Sequence, residues 1–83
     1  MKINNLINKI IPDEETRKNN AMKELAEVTL QIKNEGLLEN RNEYNMNRLR
    51  KNYLLKENKA VNKKCDIGMI IQYRKVAGEY ISI

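Results

Sequence analysis

The sequence predicts an all-α protein: a small helical bundle with a short N-terminal helix, two longer antiparallel helices, one C-terminal helix and a short extended C-terminal tail. Two observations predict it. Apolar residues recur at steps of three and four along most of the chain. In addition, two of these periodic segments are each preceded by an aspartate that can cap free amides. The 83 residues suit one domain, residues 1–83, and so small an aliphatic core makes self-association an expectation.

The first periodic segment covers residues 3–11 and should end before Pro12. Its apolar stripe consists of Ile3, Leu6, Ile7, Ile10 and Ile11. The favoured interpretation is that this stripe packs on the rest of the domain. An interfacial membrane helix is the alternative, although its polar face would carry only Lys2 and Lys9 instead of a dense basic rim.

The second helix is expected over residues 13–34. Asp13 can cap it, and the two glutamates that follow complement the positive end of the helix. Its apolar seam is Ala21, Leu25, Val28 and Ile32, flanked by Met22 and Thr29. Gly36 supplies the predicted break, and Leu30 falls on the far side of the helix from the seam.

The third helix is expected over residues 38–60, antiparallel to the second. Its apolar seam, which should face the second helix, is Leu38, Met46, Leu49, Tyr53 and Ala60. The opposite arc is basic, with two large apolar residues set into it: Arg41, Tyr44, Arg48, Lys51, Leu55 and Lys59.

This opposite arc has two interpretations. A solvated face needs charges but has no use for Tyr44 and Leu55, whereas a binding face uses such apolar anchors among positive groups. Single exposed apolar residues are nevertheless normal on protein surfaces, so the solvated face stays an alternative. The predicted partner-binding residues are Arg41, Tyr44, Arg48, Lys51 and Leu55.

Asp66 can cap the last helix, which should run to about Ala77 and stop at Gly78. Its predicted core face is Ile67, Ile70, Ile71 and Ala77. The tail "EYISI" alternates polar and apolar residues. This pattern favours an extended segment laid on the hairpin, with a strand added to a partner sheet as the alternative.

Charge keeps nucleic acid among the possible partners. The net charge is +5, and residues 41–83 contain ten basic and four acidic side chains. Ala60 followed by Cys65, Ile70 and Tyr73 loosely resembles a helix-turn-helix, with Lys64 where the turn glycine would be expected. The alternative function is therefore a DNA- or RNA-binding regulator whose phosphate contacts would be Lys59, Lys63, Lys64, Arg74 and Lys75.

Catalytic chemistry is not indicated. The chain has no His and no glycine-rich phosphate loop, and its one cysteine, Cys65, has no His base. We expect no catalytic residue, cofactor, metal or small-molecule substrate. No apolar run is long enough to span a membrane and no secretory signal is recognisable, so we expect a soluble, cytoplasmic protein without membrane contact.

The first functional hypothesis is a non-enzymatic helical binding protein: an adaptor, inhibitor or assembly or regulatory factor that occupies the surface of a protein partner or of a second copy. The abundance of Asn, Lys and Ile is typical of an AT-rich genome. Together with the small size of the chain, it favours a phage or another mobile element as the source.

Overall fold

Three helices form the part of the chain that the computed structural model describes, residues 13–37 and 42–83. Helix α1 spans Glu14–Leu37, α2 spans Glu43–Asn62 and α3 spans Ile67–Gly78. These residues contain no β-strand, so the all-α prediction is confirmed for them. The predicted N-terminal helix lies outside the described residues, as do Leu38 of the predicted seam and Arg41 of the opposite arc.

Helix α1 begins and packs as the sequence predicts. The carboxylate of Asp13 accepts a hydrogen bond from the Thr16 amide at 2.8 Å, and this bond lowers the pKa of the aspartate. The predicted seam is confirmed, because Ala21, Leu25, Val28 and Ile32 are all buried. The buried Thr29 hydroxyl donates to the carbonyl of Leu25 at 2.7 Å, which satisfies the one polar group beside this seam.

The predicted break at Gly36 is wrong, because α1 continues through this residue to Leu37. Gly36 serves close packing instead. A Cβ at this position would lie 2.7 Å from Cδ1 of Tyr80, so the ring of Tyr80 occupies the space that a side chain would need. Gly36 does not end the helix but marks the point where the C-terminal tail contacts α1.

Helix α2 runs antiparallel to α1, as predicted. Near the start of α2, Arg48 forms an ion pair with Glu35, which lies near the end of α1. In the last turn of α2, Lys59 forms an ion pair with Glu24, which lies in the middle of α1. On the seam, Leu49, Tyr53 and Ala60 are buried and Met46 is half-buried against the core.

The start of α2 is capped by an asparagine that sequence reasoning missed. The Asn42 side chain accepts a hydrogen bond from the Asn45 amide at 2.7 Å. With 13 Asn in the chain, composition alone does not single out this residue.

The link between α2 and α3 is a tight turn in which Lys64 has a φ of 60°. The amides of Lys64 and Cys65 donate to the carbonyls of Val61 and Ala60, the pattern of a Schellman motif. A lysine therefore takes the left-handed position that glycine usually fills, at a cost of about 1 kcal/mol. The turn that the helix-turn-helix comparison requires is present despite this residue.

Helix α3 starts at the predicted cap and buries half of the predicted core face. Asp66 accepts from the amide of Gly68 at 2.8 Å. Ile70 and Ala77 are buried, as predicted. Ile67 and Ile71 are not, with 57% and 47% exposure, so their assignment to the core is wrong. Both isoleucines lie on the edge of α3 from which Arg74 reaches Glu57 of α2, and not on the side of α3 that faces the core.

The C-terminal tail lies against the helices. Ile81 is buried, and Tyr80 and Ile83 pack on the same core. The Arg50 guanidinium of α2 donates a hydrogen bond to the carbonyl of Ser82. None of residues 79–83 is in a strand, and the extended form of this segment stays a prediction.

Candidate functional site

The outward face of α2 is the side that neither α1, α3 nor the tail covers. We define it by Tyr44, Lys51 and Leu55, which recur at helical spacing, with Arg48 at its edge. The two apolar side chains are the most exposed large ones in the described part of the chain, at 76% for Tyr44 and 66% for Leu55. They are separated by about 16 Å along the helix axis, at 1.5 Å per residue. The predicted apolar anchors therefore do face solvent.

Arg48 is tied to α1. Its guanidinium lies 3.3 Å from Oε1 of Glu35, and its side chain is 41% exposed. The second carboxylate oxygen of Glu35, Oε2, is buried and has no hydrogen-bond partner among the described residues. Arg48 thus helps to neutralise a partly buried carboxylate and is only partly available to an acidic partner.

Lys59, at the other end of the predicted arc, is also paired with α1. Its ammonium lies 2.8 Å from one oxygen of Glu24, and the Lys56 ammonium lies 3.2 Å from the other. These hydrogen bonds, first that of Lys59 and then that of Lys56, lower the pKa of Glu24. Lys51 is the cation of the outward face that has no ion pair with a described residue.

A shallow depression of about 340 Å³ lies at the start of the outward face. Tyr44, Asn47, Arg48 and Lys51 line it. The side-chain oxygen of Asn47 accepts a hydrogen bond from Arg50 at 2.6 Å, so this amide is held in place. The depression combines an aromatic ring, two cations and an oriented amide, a set suited to a carboxylate-bearing side chain of a partner.

The cations proposed for nucleic acid are only partly free. Lys59 is bound to Glu24 and Arg74 is bound to Glu57, at 2.8 and 2.5 Å. Lys63, Lys64 and Lys75 make no ion pair with a described residue. The first two lie in the tight turn and the third in the last turn of α3. These five cations therefore do not form one continuous free basic surface.

Glu57 belongs to a buried polar cluster that sequence reasoning missed. The Tyr53 hydroxyl donates to Oε2 of Glu57 at 2.9 Å, and Arg74 of α3 approaches Oε1. Burial, with the Glu57 carboxylate next to it, raises the pKa of Tyr53 well above its usual value. The cluster fixes α3 to α2, and its one sequence signal is that Glu57 follows Leu49 and Tyr53 at steps of four along the seam.

Metal binding has no candidate centre in residues 13–37 and 42–83. No three His, Cys, Asp or Glu side chains of these residues are grouped so that they could hold a metal ion. Cys65 is buried and its thiol donates to the carbonyl of Lys18 at 3.6 Å, a packing role between the turn and α1. Among the described helices, none is long and apolar enough to cross a membrane.

Comparison with known proteins gives no relative. The chain matches no protein-family model, and searches for similar curated proteins and for similar solved structures returned no match.

Proposed function

We propose that the protein is a non-enzymatic binding protein that occupies the surface of a protein partner with the outward face of α2. The observation that carries the proposal is the exposure of Tyr44 and Leu55, 76% and 66%, on one uncovered side of a well-packed helix. In this role the chain acts as an adaptor, inhibitor or assembly or regulatory factor. A cytoplasmic setting, a mobile-element origin and the possibility that the partner is a second copy belong to the same proposal.

The spacing of the anchors defines the partner. Tyr44 and Leu55 lie about 16 Å apart on one stripe, so a partner needs two apolar recesses at that distance. Lys51 lies between them and has no ion pair within residues 13–37 and 42–83, so its positive charge favours a carboxylate at the centre of the partner's surface. The packing of α2 on α1 holds the anchors on a rigid element, which reduces the entropy lost on binding.

The experiment is a double substitution, Tyr44→Ala with Leu55→Ala, in the full chain. Both side chains point away from the core, so we expect little change in the helical circular dichroism. Capture of the partner from a nuclease-treated lysate should become at least tenfold weaker, because anchors of this kind contribute a large share of binding energy. Leu30→Ala is the matched control, since Leu30 is an exposed apolar residue of α1. Equal capture by the double variant and the control contradicts the proposal.

A DNA- or RNA-binding regulator is the second candidate, and the tight turn favours it. Lys64 adopts the left-handed conformation that a glycine often supplies in the turn of a helix-turn-helix. Lys63, Lys64 and Lys75 are without ion pairs among the described residues. A salt titration with duplex DNA and single-stranded RNA separates the candidates. Strong binding whose salt slope falls by about two units in a Lys63→Ala, Lys64→Ala variant supports the second candidate, because each phosphate contact contributes about one unit.

A further inference from the structure

A depression of about 330 Å³ lies where the start of α1 meets the end of α2, and its cations come from both helices. Arg17 and Lys18 belong to α1, and Lys63 is the C-terminal cap of α2. Glu14 and Asn62 complete the lining, and we call this site the basic depression. Three cations and one carboxylate give its lining a net charge of +2.

The three cations of the basic depression are not neutralised by the helices around them. Elsewhere along the contact between α1 and α2, cations are held by glutamates of α1, as Arg48 is held by Glu35. Arg17, Lys18 and Lys63 form no such ion pair within residues 13–37 and 42–83. Positive charge that lacks a carboxylate partner is therefore concentrated at this end of the hairpin.

The neighbouring sequence adds no negative charge. Residues 1–12, which precede this end of α1 in the chain, contain two lysines and no aspartate or glutamate. Lys18 and Lys63 are half-buried, so solvent and salt screen their charges less than those of fully exposed lysines. The negative end of α2 accounts for a cation at Lys63, but not for two more beside it. Like charges placed together in this way attract an anion.

The charges around the basic depression favour a compact anion over an extended one. An adjacent depression of about 300 Å³ shares Lys18 and is also lined by Lys64, Glu15 and Asp66, so its two cations are balanced by two carboxylates. The excess positive charge therefore ends at the basic depression. A nucleic-acid backbone is held by a row of cations that follows its phosphates, whereas a compact anion needs cations that converge on one place.

We propose that the basic depression binds a compact phosphate ligand of the diphosphate type. The guanidinium of Arg17 presents pairs of N–H donors whose geometry matches phosphate oxygens, and Lys18 and Lys63 add point charges from two sides. The side-chain amide of Asn62 can donate a further hydrogen bond. Glu14 opposes binding, because its carboxylate lines the same depression.

Such a ligand would join the two helices at their open end. It would contact Arg17 and Lys18 of α1 and Lys63 of α2 at once, and a molecule that binds only the folded chain raises its stability. This site lies beyond the proposed function, because it uses neither Tyr44 nor Leu55 of the outward face. The double variant Tyr44→Ala with Leu55→Ala should therefore bind the phosphate ligand as the parent chain does, so the two proposals fail independently.

Titration with sodium pyrophosphate at constant ionic strength, followed by amide NMR of the full chain, tests the site. We expect saturating shifts of the amide signals of Arg17, Lys18 and Lys63. The amide signals of Lys33 and Lys51, two cations elsewhere that form no ion pair with a described residue, should stay in place. Shifts that do not saturate, or that are equally large at Lys33, overturn the proposal.

Two matched pairs of variants sharpen the test. Lys63→Met keeps the apolar stem and removes the charge, so pyrophosphate should bind about fivefold more weakly, the effect of one partly exposed ion pair. Lys33→Met removes the same charge outside the depression and should bind as the parent does. Glu14→Gln removes the opposing carboxylate and should bind about twofold more tightly, whereas Glu27→Gln should not.

The outcomes of these titrations are decisive even if Lys63→Met loses helical circular dichroism. Glu14→Gln then carries the test, because a variant that binds more tightly must be folded, and equal binding by Glu14→Gln and Glu27→Gln overturns the proposal. A single-stranded oligonucleotide is the second probe. If it binds with steep salt dependence while pyrophosphate gives no saturating shift, the ligand is a nucleic-acid backbone and the compact phosphate site is wrong.

Discussion

The outward face of α2 and the edge of α3 formed by Ile67 and Ile71 both expose apolar side chains, but they differ in spacing and in charge. Tyr44 and Leu55 are separated by three helical turns, and between them lies Lys51, which has no ion pair with a described residue. Ile67 and Ile71 are one turn apart and have only uncharged residues between them.

This difference in spacing and charge bears on the kind of contact that each surface can make. Separated anchors among cations suit a protein that arrives from solution, because the charges speed the encounter and the anchors then hold the complex. An apolar pair such as Ile67 and Ile71, which has no charged residue between its members, gains little from such steering and most from the burial of its apolar surface.

Helix α2 has one side packed on the core and one side free. Substitution by aspartate on each side tests this division, and its effect on stability is the largest that we expect. Leu49→Asp places a carboxylate at a fully buried position of the hairpin and should cost several kcal/mol, enough to unfold so small a domain. Leu55→Asp is the matched control, since it lies between Lys51 and Lys59 at helical spacing and should change stability by less than about 0.5 kcal/mol.

Thermal and urea unfolding, followed by circular dichroism, measure both aspartate variants. If Leu55→Asp destabilises the chain as much as Leu49→Asp does, the outward face is a structural contact and its role as a docking surface fails. Intact folding of the Leu49→Asp variant contradicts the hairpin seam itself.

The packing of the C-terminal tail on α1 gives the second test. Gly36→Ala places a Cβ 2.7 Å from the ring of Tyr80, so the ring must move and we expect a loss of about 1–3 kcal/mol. Gly78→Ala is the control, because a Cβ there meets nothing within 4 Å and alanine favours a helix. Urea unfolding should show the first variant less stable than the parent chain and the second equal or more stable.

An unchanged Gly36→Ala variant would contradict the close approach of Tyr80 to α1.

The sequence predicted the helices and the seams because both depend on local patterns. Asp13 and Asp66 cap their helices and Leu25 and Leu49 are buried, since capping and helical periodicity act within a few residues. Long-range contacts carry no such signal. Nothing near Gly36 in the sequence shows that Tyr80 will pack on it, a contact between positions 36 and 80.

The candidate site was predictable where it depends on the spacing within α2, and not where it depends on contacts with another helix. Helical spacing sufficed to place Tyr44 and Leu55 outward, because it depends on α2 alone. It could not show that Arg48 and Lys59 are paired with Glu35 and Glu24, since these carboxylates come from another helix. Ile71 was assigned to the core for a similar reason, because an apolar stripe does not specify which part of its width is buried.

The smallest expected effect concerns the cations that border the outward face. Glu24 holds Lys56 and Lys59 toward α1, and these bonds lower its pKa in the folded protein. A carboxyl whose folded pKa is lowered stabilises the protein above its unfolded pKa, and this contribution is lost as the pH falls through the folded pKa. Because the ion pairs are partly exposed, the contribution should be small.

Glu24→Gln removes this titrating group while keeping the shape of the side chain. Between about pH 5 and pH 3, where unperturbed glutamates titrate, the melting temperature of the unsubstituted protein should fall slightly more than that of the variant. At neutral pH the variant frees Lys59, which lies one turn beyond Leu55, so binding of an acidic partner should become faster and more sensitive to salt. Identical pH profiles and identical salt sensitivity would show that Glu24 does not restrain these lysines in solution.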